Sequence, residues 1–417
     1  MLGTAMPDNS LQNTLALQGV SVHILRMTTP LLETGAAMDA RGDTGDYVDA
    51  RQHTIVGRFP SPDPLFADCP GLFIQAKGTV DALPAMASLV REEGMGTVFT
   101  MSRGRNHQPL MKELAQAHRQ VAGPIDHVLF DADRYSGQNR RVGATALDAG
   151  WIKAQRAAGV RLALTDSPYI PARDHVALVS TLAQTKGFGE GAVAVLPLSL
   201  AWLTKDVASL IAAINQAGVR VALVLEHRKD PLGVQAAVVG LVRLLDEVDV
   251  KVALLRSDLS VIGALAFGAS MGAVGTSTSL RHYYPADDGG GIPRKPSIAA
   301  FVPWSMCYRT LQKINAAIDA DPENQQRWCC QCRFCNGALL NSIVSEVQAF
   351  QHSLAAIAIL ADEILNSDTP IKRRCAWVNN CKHAEHVNHE IAADTGMSWE
   401  PPAYLAGWLA ETRGVTT

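Results

Sequence analysis

Short runs of consecutive apolar residues alternate along the chain with longer stretches in which apolar positions recur at helical spacing. The first kind comprises Gly71 to Ala76, Gly96 to Met101, His127 to Phe130, Arg161 to Thr165, Ala192 to Pro197, Val219 to Leu225, Lys251 to Leu255 and Ser270 to Val274. Each is too short and too uniformly apolar for an amphipathic helix and reads as a strand covered on both faces. The second kind comprises Ala82 to Glu93, Gln108 to Val121, Ala144 to Ala158, His175 to Thr185, Thr204 to Ala217, Gly233 to Glu247 and Leu259 to Gly268, which read as amphipathic helices. Strands buried on both faces and joined by helices are parallel strands with crossovers, and eight of them close a sheet on itself. The expected class is therefore α/β, a (β/α)₈ TIM barrel. The rival is an open doubly wound sheet, but no Gly-rich dinucleotide fingerprint follows the first strand.

The rhythm breaks after Val274. The chain runs through Tyr283 to Trp328, with a glycine-rich loop at Asp287 to Gly291, before a helix-forming segment, Ala338 to Leu365, that contains neither Gly nor Pro. Between them lies Cys330-Gln331-Cys332-Arg333-Phe334-Cys335. A C-x-C-x-x-C knuckle can gather three sulfurs around one ion, and Zn²⁺ favours a tetrahedron of thiolates and imidazole. His352, carried back by the helix, is the expected fourth ligand, and adjacent Cys329 is an alternative to Cys330. The domain order that follows is an N-terminal extension or cap over residues 1–66, barrel strands one to eight over 67–281, an insertion with the knuckle over 282–336, the last barrel helix over 337–367, and a helical tail over 368–417. Strand-like pieces at Val20 to Leu25 and His53 to Phe59 flank a polar Gly- and Asp-rich stretch, Glu33 to Tyr47, within the extension.

Composition narrows the setting. With 37 basic and 40 acidic residues the net charge is near zero, so any nucleic acid must be held locally. Eight cysteines, four of them within Cys329 to Cys335, do not resemble a secreted disulfide framework, and a reducing cytoplasm is expected. No run approaches the roughly 20 apolar residues of a membrane span, and the N-terminus lacks a basic n-region with an apolar h-region, so a soluble intracellular protein is expected.

Barrel enzymes place their chemistry at the C-terminal strand ends. There the sequence offers Lys77 after strand one, Ser102, Arg103 and Arg105 after strand two, Asp131, Asp133 and Arg134 after strand three, and Asp166, Ser167 and Tyr169 after strand four. Strand six adds Glu226 and His227, strand seven Arg256, Ser257 and Asp258, and strand eight Thr276, Ser277 and Arg281. Asp131, Asp133, Asp166 and Asp258 are the candidate catalytic acids, with helix N-capping the competing role for Asp133 and Asp258. Lys77, Ser102, Arg103, Tyr169, Glu226, His227, Ser257 and Thr276 are the candidate substrate contacts. Gly275-Thr276-Ser277 and Ser257 also have the character of a phosphate cradle. Arg140 and Arg141 are candidates for a phosphate-lining groove, and Tyr283, Tyr284, Trp304 and Trp328 either stack on bases or pack the insertion. His383, His386 and His389 recur at every third position near Cys381 and read as a solvated helix face rather than a second metal cluster.

A barrel with a C-x-C-x-x-C…His site between its last strand and last helix resembles the tRNA-guanine transglycosylase family, which includes DNA-modifying 7-deazaguanine transglycosylases. The likeness spans roughly Gly71 to Leu365. It implies a structural zinc, a nucleic-acid partner (tRNA or DNA), and exchange of a guanine-type base for a 7-deazaguanine through an aspartate nucleophile. In the family the third strand ends in Phe-Asp, whose carboxylate binds the base edge; Phe130-Asp131-Ala132-Asp133 stands at the corresponding place. The sequence departs from the family at strand eight, where Met271-Gly272-Ala273 has no acid in place of the nucleophile, in a shorter Cys335-to-His352 interval, and in lacking the Ser-Gly-Gly-Phe loop. Two other readings fit the same residues: a catalytically silent nucleic-acid-binding subunit, and a barrel that binds a phosphorylated small molecule around a structural zinc. Protein partners and a homodimer are compatible with all three.

Overall fold

A computed structural model describes residues 71–102, 107–286 and 297–411. The expected N-terminal cap, Arg103, Arg105 and the Asp287 to Gly291 loop lie outside the described residues.

Eight strands, β1 (Leu72–Lys77), β2 (Gly96–Thr100), β3 (Val128–Asp131), β4 (Ala163–Leu164), β5 (Ala192–Ser199), β6 (Val221–Glu226), β7 (Val252–Ser257) and β8 (Met271–Gly275), form one parallel sheet in the order β3-β2-β1-β8-β7-β6-β5-β4. The end strands β3 and β4 are spatial neighbours, so the ring is nearly closed. Side chains alternate as strand geometry requires. Leu72, Ile74 and Ala76 of β1 point to the outer core beneath the helices, whereas Phe73 joins Val98, Val195, Val224, Leu255 and Ala273 in the barrel interior. The short β4 has a local cause: the Thr165 hydroxyl, just past its end, accepts the Val195 amide at 2.9 Å and so substitutes for a ladder bond.

The surrounding helices are α1 (Leu83–Glu92), α2 (His107–Val121), α3 (Ala149–Ala158), α4 (His175–Gly187), α5 (Ala201–Thr204), α6 (Val207–Ala217), α7 (Gln235–Glu247) and α8 (Val261–Ala266). Two depart from the sequence expectation. The α3 helix starts five residues late because Asp148 caps it, accepting from the Gly150 amide. The segment expected as one helix from Thr204 is instead α5 and α6, separated at Lys205 and Asp206.

Beyond β8 come a single-turn α9 (Thr278–Arg281), an antiparallel hairpin of β9 (Ala299–Val302) and β10 (Cys307–Thr310), and α10 (Leu311–Ala320). Then follow the cysteine knuckle and α11 (Glu346–Leu365), which begins eight residues later than its composition suggested because Ser345 and Gln348 form a capping box. Packed against α1, α8 and β9, α11 occupies the place of the eighth barrel helix. The tail is α12 (Pro370–Thr395) and α13 (Ala403–Glu411), which cover α8 and α7. Trp377 of α12 lies flat on Gly263 of α8, where a Cβ would sit 2.5 Å from its ring. Gly263→Ala is therefore expected to cost about 1–3 kcal/mol through overpacking, read as a lowered urea midpoint; an unchanged midpoint would mean that α12 is not seated on α8. Among the described residues no helix is long and apolar enough to cross a membrane.

Candidate functional site

The cysteine knuckle is built by its own backbone. Cys335 and Asn336 amides donate to the Cys332 carbonyl at 3.0 and 2.8 Å, and left-handed Asn336 and Gly337 return the chain so that Cys330 and Ala338 pair. These turns bring the sulfurs of Cys330, Cys332 and Cys335 and an imidazole nitrogen of His352 within 4.8 Å of one another, all four residues buried. Cys332 Sγ and Cys335 Sγ lie 3.5 and 3.2 Å from His352 Nδ1. Ligand bonds of about 2.3 Å to sulfur and 2.0–2.1 Å to nitrogen imply a sulfur–nitrogen edge of roughly 3.5 Å in a tetrahedron. The donor set thus has the size a tetrahedral ion needs, and the group could hold a metal ion such as zinc. Cys329 is outside the cluster, which resolves the alternative in favour of Cys330. The other ring nitrogen of His352 meets the Phe301 carbonyl of β9 at 2.7 Å, an outer contact that turns Nδ1 toward the sulfurs. Arg333, within the knuckle, pairs with Glu92 and Glu93 at the end of α1.

The barrel mouth holds several polar groups rather than one pooled set of acids. At its centre the Asp131 carboxylate, 1% exposed, accepts from Tyr135 Oη (2.8 Å), the Asp133 amide (3.0 Å), Gln75 Nε2 (3.2 Å) and Thr100 Oγ1 (3.3 Å). Arg256 Nε stands 3.5 Å from it, and Arg256 Nη2 pairs with Asp133 Oδ1 at 2.6 Å. Asp133 and Arg256 both adopt left-handed backbone, with φ of +51° and +50°. Burial and the Asp131 and Asp133 carboxylates beside it push the Tyr135 hydroxyl well above its usual range, against the pull of Arg256, so it stays a donor.

A second group joins Glu226 to Arg140 and to the Tyr169 hydroxyl, with Arg140 also donating to Tyr283 Oη at 2.9 Å and stacking 3.8 Å over the Tyr169 ring. Burial first, then Glu226, raises Tyr169 to about 12. In a third group Arg141 Nη1 meets Asp166 Oδ2 at 2.6 Å, and Asp166 also accepts the Asp148 amide at 2.8 Å. The fourth is Asp258, which accepts its neighbour Leu259's amide at 2.8 Å and faces Arg281 at 4.0 Å and His282 at 3.6 Å. Neither Asp133 nor Asp258 is a helix N-cap.

One cleft of about 480 Å³ opens at this end of the barrel, and Lys77, Ser102 and Asp133 of the expected residues line it together with Arg256, His282 and Tyr284. Asp131 lies beneath its wall, and Asp166, Tyr169, Glu226 and Asp258 belong to the neighbouring groups. His227 bonds within its own turn to Lys229. Ser257 donates to the Leu255 carbonyl, and the Thr276 amide donates to Gln75 O at 2.9 Å, so both cradle candidates are engaged within the protein. Gly275 is required because the Leu280 carbonyl carbon sits 2.2 Å from where a Cβ would be. Arg140 and Arg141 turn inward to carboxylates instead of lining a groove, and Arg134 contacts His107 at 3.0 Å. His383, His386 and His389 are exposed on α12, and among the described residues the Cys₃His set is the one metal-ligand group. Trp328 is buried against Trp304 and Trp399, and Tyr283 is buried, whereas Tyr284 is 38% exposed.

The two residues that sequence reasoning passed over each left a trace: Gln75 is the one polar residue within the apolar run of β1, and Tyr135 follows Asp131 by four positions; Arg256, noted at the end of strand seven, is the one charge in β7.

No family model matches the sequence, and no curated protein does. Among solved structures the chain is similar to a 3-hexulose-6-phosphate synthase, with a TM-score of 0.31 and 13% identity over 50% of this chain and 94% of that one.

Proposed function

We propose that the protein is a transglycosylase-like barrel that takes a guanine-type base of tRNA or DNA into the mouth cleft and exchanges it for a 7-deazaguanine, with Asp133 as the carboxylate at the sugar and a structural zinc on Cys330, Cys332, Cys335 and His352. The observation that carries this reading is the Asp133–Arg256 pair on the cleft wall, 2.6 Å apart with both residues in left-handed backbone. Such conformations cost about 1–3 kcal/mol each and cluster at functional sites. A guanidinium is the commonest reader of guanine O6 and N7. A base that takes Arg256 in this way replaces Asp133 on the guanidinium and leaves the carboxylate to attack the sugar carbon. Tyr284 offers an exposed ring for stacking, and Lys77 and Ser102 at the rim suit a flanking phosphate. The four-ligand metal set leaves no open position, so the ion would brace the insertion and take no part in the reaction.

The Asp133–Arg256 ion pair also favours a second reading, in which the same cleft binds the base and no exchange follows. Incubation with labelled 7-deazaguanine and either tRNA or DNA separates the two. Incorporation by the wild type, lost by roughly 10³-fold or more in Asp133→Asn with nucleic-acid affinity retained, is the expected result. Binding without incorporation selects the second reading, and no binding to either polymer at low salt sinks both.

A further inference from the structure

We propose that His282 carries the proton between the departing and the incoming base and that Asp258 orients it, an inference that rests on the base-exchange reading above. His282 lines the same cleft as Asp133 and Arg256. Its Nε2 faces Asp258 Oδ2 at 3.6 Å, an ion-pair separation that typically tightens once substrate is bound. Its Nδ1 is buried and makes no well-formed hydrogen bond of its own, although the Lys229 backbone also contacts the ring. The two residues come from different strand-to-helix connections, Asp258 following β7 and His282 following the α9 turn that comes after β8, so the barrel itself creates the pairing. A carboxylate on one ring nitrogen fixes the tautomer and leaves the other nitrogen to exchange protons, the arrangement used by acid–base histidines.

The steps balance. As the Asp133 carboxylate forms a bond to C1′, the C1′–N9 electron pair goes to the departing base, which takes the Nδ1 proton of the imidazolium. The incoming 7-deazaguanine then forms its own N9–C1′ bond, the carboxylate leaves as an anion, and the N9 proton returns to Nδ1. One proton leaves the histidine and one comes back.

The ring is faced by Asp258 from the β7 end, Arg281 on its own turn, His227 and the Lys229 backbone from the β6 end, and Tyr284 with ring centroids 6.0 Å apart. Asp230, itself raised to about 7 by burial and by Asp258, stands behind that carboxylate. Burial is the largest influence on His282, and with Arg281 and His227 it holds the imidazole below its ordinary range against Asp258.

The two half-reactions should therefore depend on pH in opposite senses. kcat/KM for the nucleic acid needs imidazolium and falls as pH rises through the His282 value; kcat/KM for the incoming base needs imidazole and falls as pH drops through it. In His282→Gln both dependences should flatten and kcat should fall roughly 10²-fold with KM unchanged. In Asp258→Asn both should move to lower pH, because the charge that favours imidazolium is gone. An NMR titration of the His282 ring should show a midpoint below the ordinary histidine range that drops further in Asp258→Asn. Exchange with an unaltered pH profile in His282→Gln overturns this inference and leaves the base-exchange reading standing. A wild type that exchanges nothing overturns both, and a titration midpoint that Asp258→Asn does not move overturns the pairing whether or not exchange is seen.

Discussion

Cys332→Ser should abolish zinc binding at the Cys330, Cys332, Cys335 and His352 group and lower stability by about 5 kcal/mol or more, the scale on which losing a structural ion stands apart from ordinary point changes. Cys332 is fully buried, and its sulfur is 3.5 Å from His352 Nδ1. A serine hydroxyl is a poor ligand for zinc and would leave Cys330, Cys335 and the imidazole in an apolar pocket without the charge that draws them together. The effect spreads because the knuckle is tied in three directions. Phe301 of the hairpin meets His352, Arg333 reaches the end of α1, and Trp328, just ahead of the cysteines, packs between Trp304 and Trp399. Metal content by elemental analysis should fall from about one zinc per chain to none. The near-ultraviolet tryptophan signal should collapse below the temperature at which the helical signal is lost. Chelator added to the wild type should reproduce the same two-step melt. Full zinc content with unchanged melting in Cys332→Ser would show that these four residues hold no ion.

Barrel and Cys₃His group were legible in the sequence for different reasons. Strands covered on both faces must be continuously apolar, so β1 to β8 stand out as runs, and the interruptions between them are long enough for helices. The knuckle was legible because its ligands are close in sequence and the fourth lies on a helix. What escaped was whatever depends on partners far apart in the chain. Arg140 and Arg141 look like adjacent surface cations, yet one meets Glu226 across the mouth and the other meets Asp166. The hairpin β9 to β10 and helix α10 were likewise hidden in a segment whose pattern is set by packing against α11 and α12 rather than by its own periodicity. The acids at the strand ends were found one by one, but their division into separately paired groups follows from ring geometry, which no local pattern encodes.

That division fixes the second large effect. Asp131→Ala is expected to cost about 3–5 kcal/mol, the scale on which breaking a buried network of hydrogen bonds and charges destabilises a protein. The carboxylate gathers Gln75 from β1, Thr100 from β2, Tyr135 from the following loop and Arg256 from β7, so it links strands on both sides of the β1–β8 seam. Alanine leaves the 6% exposed Arg256 facing Asp133 alone and removes the acceptor of the Asp133 amide, one of the contacts that hold that residue at φ +51°. Strained backbone persists only while its surroundings over-determine it, so both residues should relax toward ordinary conformations and the cleft wall should move with them. Asp131→Asn keeps the shape but turns an acceptor into a donor among donors, and it should lose base binding together with a smaller share of stability. Asp166→Asn, whose partner Arg141 is one-third exposed, serves as the comparison and should cost less than either. Urea unfolding of the three variants alongside their affinity for nucleic acid decides the matter: a midpoint in Asp131→Ala no lower than in Asp166→Asn would mean that the central carboxylate does not hold the mouth together.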